Sequence, residues 1–588
     1  MLSCLQRMLT GLFLGLYFIG PTPTLGRSAL PGDESLAVPT NALAPTSQQA
    51  PPDTTEPDPD PGEPRVPPDL DPDHPPTAAS DRERRRLPDL GLSEPAHSLP
   101  VGSLGWHNRV GARVGADLLG GEVFASITPG FNLAMDVLER PLDFTFAIPL
   151  RIEIVSARRE DAFSHVGRFR FEDWDEPAEY LQLIQHLSWG DRAGHFVLAL
   201  EQFGKTTVGH GALVRRHTRS LLMNHNHVAF HGRGFSDWVG GEAYLDSVAH
   251  PQVVAGRISG HPLRAIDPAN LYLRSFTLGA TVAADLDAPL RNRLDLRDAD
   301  DDGRRRSEIL LSSSGHPRYV ATRVVAYGTD AGIRIVESDS LSYDVYFDYS
   351  LLLSALPTDD PDYPGPSFGP APPPTPFVPR RGVQTSGFTW GNILRVKLGE
   401  PATHGLVARV EYRNHEANYQ PSWFDLVYSA QRVQFTQAGR APRDIANRTK
   451  VQSVLDREGR RPNGGYLELG YLFSDILTLA VGFEFNDRYP DNSMFLHLEV
   501  NKLAGWQFSM TYHRRAARGF VDLWQWFSGG GYDIFVARTR YLIAGVIGLT
   551  LESMTPFHLN RANKYVNAWQ LSFAIDVGWS FGKLLPKK

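Results

Sequence analysis

Apolar side chains alternate with small or polar ones over most of the chain after Trp106. A period of two places the two kinds of side chain on opposite faces of a β-strand. The final stretch shows the alternation most clearly, with apolar residues at Leu571, Phe573, Ile575, Val577, Trp579 and Phe581. The same pattern recurs in residues 276–286, 341–351, 406–412, 477–485, 494–500 and 506–512. The chain after Trp106 is therefore predicted to be all-β.

The first 104 residues differ from this pattern. Arg7 precedes an apolar run from Met8 to Ile19 that is too short to span a bilayer, which needs about 20 residues. It predicts a secretory signal peptide over residues 1–26, cleaved after Gly26; a short retained anchor is the alternative. Cys4 is the single cysteine, so disulfides and thiolate metal centres are excluded.

Residues 27–104 contain 17 prolines in 78 positions and almost no aromatic side chains. Such a segment cannot bury enough apolar surface to offset the entropy of ordering, so it is predicted to be a disordered arm. The arm either acts as a spacer or binds a periplasmic partner. The net charge of −7 argues against a nucleic-acid partner.

An alternating sheet can hide its apolar face in a soluble core or turn it toward lipid. Charged residues in the middle of the polar faces favour a wet interior, as at Glu201 and Arg409. Aromatic residues cluster near the ends of the runs, as an interfacial girdle requires. The 40–50-residue repeat of a propeller is not seen in the sequence. These features favour a membrane barrel.

With its export signal, its alternating runs of ~10 residues and a final strand ending in aromatics, the chain resembles Gram-negative outer-membrane β-barrel proteins of the porin-like class. The barrel domain is predicted over residues 105–588; the resemblance covers roughly residues 105–582, and its most specific element is Trp569–Phe581, past which Gly582–Lys588 extend. It implies an antiparallel transmembrane barrel in the outer membrane, in contact with lipid and assembled through recognition of that last segment. The runs number about 18, with 16–20 open, since closed barrels favour even counts.

Long connections are predicted at 156–194, 287–317, 354–381 and 435–463. If the amino terminus is periplasmic, the first three face outward. In the first, Asp175 is expected to cap a helix through Leu187, because Tyr180, Leu183 and Ile184 fall on one stripe.

The leading functional hypothesis is a channel or transport protein for small polar solutes, without a cofactor. Four charged residues on the polar faces are expected to act as selectivity elements in the lumen: Arg409, Glu411, Glu484 and Glu499.

Two segments are candidates for metal binding. His225, His227 and His231 share parity, so on one strand their imidazoles would share a face. Asp298, Asp300 and Asp302 begin a D-x-D-x-D-G pattern, but position twelve of a calcium loop is Ile309 and three arginines follow. The alternatives are ordinary polar groups for the histidines and a solvated acidic loop for the aspartates.

A membrane-embedded hydrolase acting on lipid or a surface polymer is the second hypothesis. His210, between two glycines in the predicted strand Thr206–Val214, is its candidate histidine. No G-x-S-x-G occurs, and a Ser–His pair can be recognised only in space. A structural anchor for the proline-rich arm is the third hypothesis.

Overall fold

The computed structural model describes the residues from Asn108 to Ser580 with internal gaps. The described ranges are 108–119, 122–155, 166–174, 179–190, 195–202, 205–218, 227–292, 294–296, 307–309, 318–354, 383–399, 403–433, 449–455, 459, 461–474, 476–487, 492–515, 533–543, 547–555, 557–559, 565–567 and 570–580. The predicted signal peptide and the predicted arm lie outside these residues.

The described strands follow one another in chain order. They are β1 (Arg109–Leu119), β2 (Glu122–Val137), β3 (Arg140–Ala147), β4 (Leu150–Val155), β5 (Ile184–Gly190), β6 (Phe196–Glu201), β7 (Ala229–Phe235), β8 (Val239–Leu245), β9 (Val253–Gly260), β10 (Thr277–Asn292), β11 (Leu294–Leu296), β12 (Ser307–Ile309), β13 (Tyr319–Glu337), β14 (Leu341–Ser354), β15 (Val383–Leu398), β16 (His404–His415), β17 (Asn463–Phe473), β18 (Leu477–Asn486), β19 (Ser493–Leu503), β20 (Trp506–Arg515), β21 (Asp533–Ile543), β22 (Ile547–Met554), β23 (Phe557–Leu559), β24 (Tyr565–Asn567) and β25 (Gln570–Ser580).

Helical turns in the described residues are short. They are the 3₁₀ turns Phe171–Asp173, Glu179–Leu183 and Pro262–Ala265 and the α-helical turns Leu271–Ser275, Tyr428–Gln431 and Lys450–Leu455. In the described part of the chain, no helix is long and apolar enough to cross a membrane.

Twenty of the strands pair in antiparallel fashion around a closed ring, namely β1–β3, β5–β10, β13–β22 and β25. The ring closes where β1 pairs with β25, from Arg109 opposite Ser580 to Leu118 opposite Leu571. Beyond Ala147, β4 resumes the path of β3 and pairs with β2 as an additional strand. The predicted antiparallel barrel is confirmed, with a strand number at the upper bound of the prediction.

The two faces of the wall are divided as the alternation predicts. On β25 the apolar residues Phe573, Ile575 and Trp579 point away from the barrel and are 52%, 42% and 65% exposed, whereas Asp576 between them is buried. The other strands repeat this division, with outward rows that include Val110, Val114, Phe347, Trp390, Val410, Tyr412, Leu469 and Phe485. The apolar rows therefore cover the outside of the barrel and are not packed in a protein core, as a membrane barrel requires.

The two ends of the barrel have different connections. Both termini of the ring and most short turns lie at one end, including Leu138–Glu139 and Ala504–Gly505, whose residues have positive φ. The antiparallel order places the connections 156–183, 202–228, 293–318, 355–382 and 416–462 at the opposite end. The predicted connections at 287–317, 354–381 and 435–463 therefore lie at one end. Of the one predicted at 156–194, only the part before β5 lies there, because residues 184–190 form a wall strand. Outer-membrane barrels share this asymmetry of short periplasmic turns and long outer loops.

Two local predictions are wrong. The helix expected through Leu187 is a 3₁₀ turn at Glu179–Leu183 followed by strand β5; its residues before 179 lie outside the described range. The apolar stripe overlaps a short period-two pattern. In the structure Leu187 and Trp189 face outward, whereas His186 and Ser188 face inward. Because this segment pairs with β3 and β6, it forms a strand and not a helix. The predicted strand Thr206–Val214 is not part of the wall but an irregular segment inside the barrel.

Candidate functional site: the interior of the barrel

Two connections from the long-loop end fold into the barrel. We call them together the plug: residues 205–218 between β6 and β7, and residues 416–433 with 449–455 between β16 and β17. They meet at an isolated bridge between Val214 and Phe424. The side chains of Trp423, Phe424 and Lys450 in the second part are fully buried.

The plug packs on the inner wall through an apolar core. Small inward side chains of β9, β10 and β13, such as Ala255, Ala283 and Ala326, leave space that the plug fills. The plug contributes Val208, Leu213, Val214, Tyr419, Trp423, Phe424, Tyr428, Val451 and Val454 to this cluster. Because burial of apolar side chains stabilises by about 1.5–3 kcal/mol each, this packing holds the two segments inside the barrel.

The tip of the first plug segment is a tight turn at Gly209–His210–Gly211. Gly209 and Gly211 have φ values of +59° and +85°, which favour glycine. A Cβ at Gly209 would lie 2.9 Å from the Arg257 side chain, and one at Gly211 would lie 2.6 Å from Arg215 Nε. The glycines flanking His210 therefore serve both the turn and close packing against arginines.

His210 at the tip is tied to the wall by its ring and its carbonyl. Its Nδ1 lies 3.0 Å from Asp348 Oδ1, and its ring stacks on Tyr346 with 4.1 Å between centroids. Its carbonyl oxygen accepts hydrogen bonds from Arg215 at 3.1 Å and Arg409 at 3.0 Å. Among the described residues, no serine hydroxyl hydrogen-bonds to this ring, so the tip lacks the arrangement of a serine hydrolase.

Buried ion pairs fasten the plug to β16 and β17. Arg215 Nη2 donates to Glu411 Oε1 at 2.6 Å, and the Glu411 side chain is 0% exposed. Tyr346 also donates to Glu411, at 2.6 Å, while Arg216 pairs with Glu468. Removing one partner of such a pair is costly because the other charge stays buried.

The four predicted lumen residues all point into the barrel, but in different surroundings. Arg409 and Glu411 contact the plug. Glu484 pairs with Arg413 and accepts from Ser493 at 3.1 Å. Glu499 lies 3.6 Å from His497 Nε2. Their role in selectivity stays a prediction, and for Arg409 and Glu411 the geometry shows an additional task, attachment of the plug.

Lys205 stands at the root of the plug and reaches the opposite wall. Its Nζ donates to Thr511 Oγ1 at 3.0 Å. Burial, together with the nearby positive charges of Arg216 and Arg538, lowers the pKa of this amine to about 7, against the opposing effect of Glu499. The ammonium form is therefore disfavoured inside the barrel.

The wall formed by β1, β2, β3, β21 and β25 contains a small cleft. Its lining includes Arg113, Thr128, Asn132, Thr145, Arg540 and Asp576. Two carboxylates connect the arginines of this wall. Arg113 lies 2.9 Å from Asp576 and 3.1 Å from Glu552, and Arg540 lies 3.0 Å from Asp576. Six of the thirteen lining residues are thus charged or hydrogen-bonding, and the other seven are glycine, alanine, phenylalanine or valine.

A hydrogen-bonded chain of three residues lies on the inner face beside the cleft. Ser188 Oγ is 3.0 Å from His186 Nε2, and His186 Nδ1 is 3.0 Å from Glu201 Oε1. His186 lies opposite Thr145, a residue that lines the cleft. This chain was not predicted from the sequence, although the His-x-Ser spacing places both side chains on one face of a strand.

The two metal-binding hypotheses stay predictions, because most of their residues lie outside the described ranges. His227 precedes β7, His231 lies within it, and His225 falls outside the described residues, as do Asp298, Asp300 and Asp302. His227 Nδ1 lies 3.5 Å from Ser247 Oγ. The described residues do bring ligand atoms of His210, Asp330 and Asp348 within 4.8 Å of one another.

A positively charged side chain, that of Arg257, already lies in the cluster of His210, Asp330 and Asp348. Arg257 donates to both oxygens of Asp330, at 2.7 and 3.1 Å. Its guanidinium thus supplies the positive charge there.

No protein-family model and no curated protein matches the chain. Solved structures similar to it include OccK10 (OpdN) of Pseudomonas aeruginosa, with 10% identity over 81% of this chain and 99% of that one and a TM-score of 0.28. Another is Wzi of Escherichia coli, an outer-membrane carbohydrate-binding barrel involved in capsule assembly (10% identity, 80% and 84% covered, TM-score 0.26). A third is the ferric-catecholate import receptor Fiu of E. coli K12 (7% identity, 82% of each chain, TM-score 0.29). At such identities and scores we draw the function from the barrel's own geometry.

Proposed function

We propose that this chain is an outer-membrane barrel that conducts small polar solutes along the side of its interior formed by β1–β3, β21, β22 and β25. The observation that carries the proposal is the cleft, whose lining offers two arginines, one carboxylate, two hydroxyls and an amide among small and apolar residues. Charged and hydrogen-bonding walls replace part of the hydration shell of a polar solute and set selectivity.

The presence of the plug favours a narrow, selective path and argues against a wide, open pore. A ring of 20 strands encloses more space than side chains alone can fill. The plug occupies the interior beside β8–β17 through its apolar core and ion pairs. It also touches the loop end of β21, where its Leu426 and Val427 pack on Ile534. We infer that it narrows the route and leaves the charged side for the solute.

The outer membrane is the location that fits the barrel best. Outer-membrane barrels have an apolar outer belt and short turns at the end where both ends of the strand ring lie, as this barrel does. We expect the assembly machinery to recognise β25, the strand that closes the ring. Membrane fractionation combined with heat-modifiable gel migration tests this placement: the folded barrel should resist SDS until boiled and sediment with outer membranes. Recovery as a detergent-free soluble monomer would refute it.

Conductance in planar bilayers tests the channel. The wild-type protein should give unitary steps, and Thr128→Trp, which fills the cleft, should retain less than half of the step size. Ile127→Trp is the matched control, since Ile127 neighbours Thr128 on the same strand but is 46% exposed on the lipid face. Absence of steps in the wild type, or equal steps in the two variants, would contradict the proposed path.

A further inference from the structure

We propose that Ser188, His186 and Glu201 form a hydrolytic triad on the inner wall, which cleaves carboxylic esters of small solutes that reach the cleft. The proposal goes beyond conduction and rests on the proposed function only for the route by which the substrate arrives. It differs from the hydrolase hypothesis drawn from the sequence in the histidine, in the serine and in the face of the barrel.

The geometry is that of a nucleophile, a base and an orienting acid. Nδ1–H of His186 donates to Glu201 at 3.0 Å, which leaves Nε2 as the acceptor for the Ser188 hydroxyl, also at 3.0 Å. This is the arrangement that activates serine in hydrolases of unrelated folds. Strand geometry produces it here, because residues 186 and 188 share a face of β5 and Glu201 is directly opposite His186 on β6.

The triad faces the interior and not the lipid. Thr145, opposite His186, is 2% exposed, and Ala199, opposite Ser188, is also 2% exposed. The alternate residues of β5 carry the outward face, where Trp189 contacts Phe196 with 5.3 Å between ring centroids. The ester therefore comes from a solute in the barrel and not from a membrane lipid.

The residues next to the Ser188 hydroxyl are small. Ala199 is its cross-strand neighbour, and Gly190 follows two positions along the same face, where the Phe196 backbone leaves no room for a Cβ. The side chains of His186 and Glu201 are 11% and 15% exposed, so they are shielded but reachable. Asp143, opposite Ser188 on β3, accepts a hydrogen bond from Asn132 at 2.9 Å.

A second interior histidine, His497, has a hydroxyl and a carboxylate nearby but does not form the same hydrogen-bonded chain. His497 lies 2.9 Å from Thr511 Oγ1, but the carboxylate of Glu499 is 3.6 Å from its other nitrogen, beyond a hydrogen bond. Moreover, Thr511 accepts a hydrogen bond from Lys205. Of the two arrangements, the one at His186 has both contacts at hydrogen-bond distance.

The reaction consumes an ester and water. Ser188 Oγ attacks the acyl carbon while its proton moves to His186 Nε2; the bond to the alcohol oxygen then breaks and the alcohol leaves with that proton. Water next attacks the acyl-serine and gives its proton to His186. The acid departs, and the proton returns to Ser188. Glu201 is a positioning residue that holds the imidazole and stabilises its charged form.

Purified full-length barrel in detergent micelles tests the proposal with two probes. A serine-reactive fluorophosphonate should label the folded protein, and mass spectrometry should locate the label on Ser188. Hydrolysis of p-nitrophenyl acetate should fall to background in Ser188→Ala and His186→Ala. Glu201→Gln should lower the rate roughly 10²–10⁴-fold and change its pH profile, and Glu201→Asp should restore part of it.

Ser493→Ala is the control, because Ser493 is a hydroxyl bonded to Glu484 and should leave both readouts unchanged. Labelling that avoids Ser188 on the wild-type protein, or hydrolysis equal to wild type in Ser188→Ala, would overturn the triad, and the first readout does not depend on how a variant folds. Conductance separates the two proposals. A barrel that conducts but is neither labelled nor active refutes the triad alone, whereas one that is labelled but gives no steps refutes the channel alone.

Discussion

The two sides of the barrel interior are built from walls of the same alternating pattern and yet differ. Along β8–β17 the wall presents small apolar residues among its charges, such as Ala283 and Ala326, and the plug packs on them. Along β1–β3, β21, β22 and β25 the inward residues include Arg113, Thr128 and Asn132, which line a cleft. Where a loop brings apolar side chains to the inner wall, the two pack into a core. Where charged residues pair with one another along the wall, a cleft remains.

The difference also lies in what each ion pair holds. Arg215–Glu411 joins the plug to the wall at 2.6 Å, whereas Arg113–Asp576 joins two adjacent wall strands at 2.9 Å. A pair such as Arg215–Glu411 fixes the plug, which the backbone hydrogen bonds between wall strands do not hold. The plug side should therefore be more sensitive to single substitutions.

The largest effect is expected for Glu411→Ala. Three arginines, Arg215, Arg409 and Arg413, would lose the carboxylate that they share, and the free energy of unfolding should fall by roughly 3–5 kcal/mol because their charges remain buried. The freed plug should also raise the unitary conductance. Urea unfolding in micelles and bilayer recording measure the two effects.

Glu337→Ala serves as the control for Glu411→Ala. Its pair with Arg274 lies at the rim with both side chains about 40% exposed, so its loss should cost less than about 1 kcal/mol. Equal losses in the two variants would remove the distinction between plug contacts and rim contacts.

The next effect is a pH dependence at the root of the plug. The unfolded chain keeps Lys205 protonated up to its ordinary pKa of 10.5, whereas the folded barrel releases the proton above about 7. Stability should therefore rise with pH between these values, by up to about 1.4 kcal/mol per unit, and be independent of this group below pH 7. Lys205→Met should remove the slope in unfolding measured at pH 7 to 10. A slope unchanged by the substitution would show that the amine is not buried as described.

The smallest effect concerns the tip of the plug. Gly209→Ala combines a positive φ with a clash against Arg257, which is held by two bonds to Asp330. Gly167→Ala has the φ strain alone, since a Cβ there meets nothing within 4 Å. The strain costs about 1–2 kcal/mol in each, and Gly209→Ala should lose measurably more. Identical unfolding midpoints for the two variants would mean that the tip is not packed on β9.

The fold was largely accessible from the sequence, and the site was not. Alternation from Leu571 to Phe581 predicts β25 and its outward face, because a strand's side-chain direction depends on nothing beyond its own backbone. The strand count was low in part because β5 is short and overlaps a helical stripe. The prediction of a strand at Thr206–Val214 was wrong because alternation shows only that one face of a segment is buried. It does not show whether the segment belongs to the barrel wall or to the plug.

The sequence alone determined most of the strands, their two faces and the closed barrel, since a period of two is a local property and a membrane tolerates no open sheet edge. Only the tertiary structure decided which inward side chains meet. His186 and Ser188 needed Glu201 from a neighbouring strand whose register comes from pairing. Arg215 in the plug needed Glu411 of wall strand β16, 196 residues away along the chain. The path of a long connection into the interior depends on packing against many strands at once, and no local pattern records it.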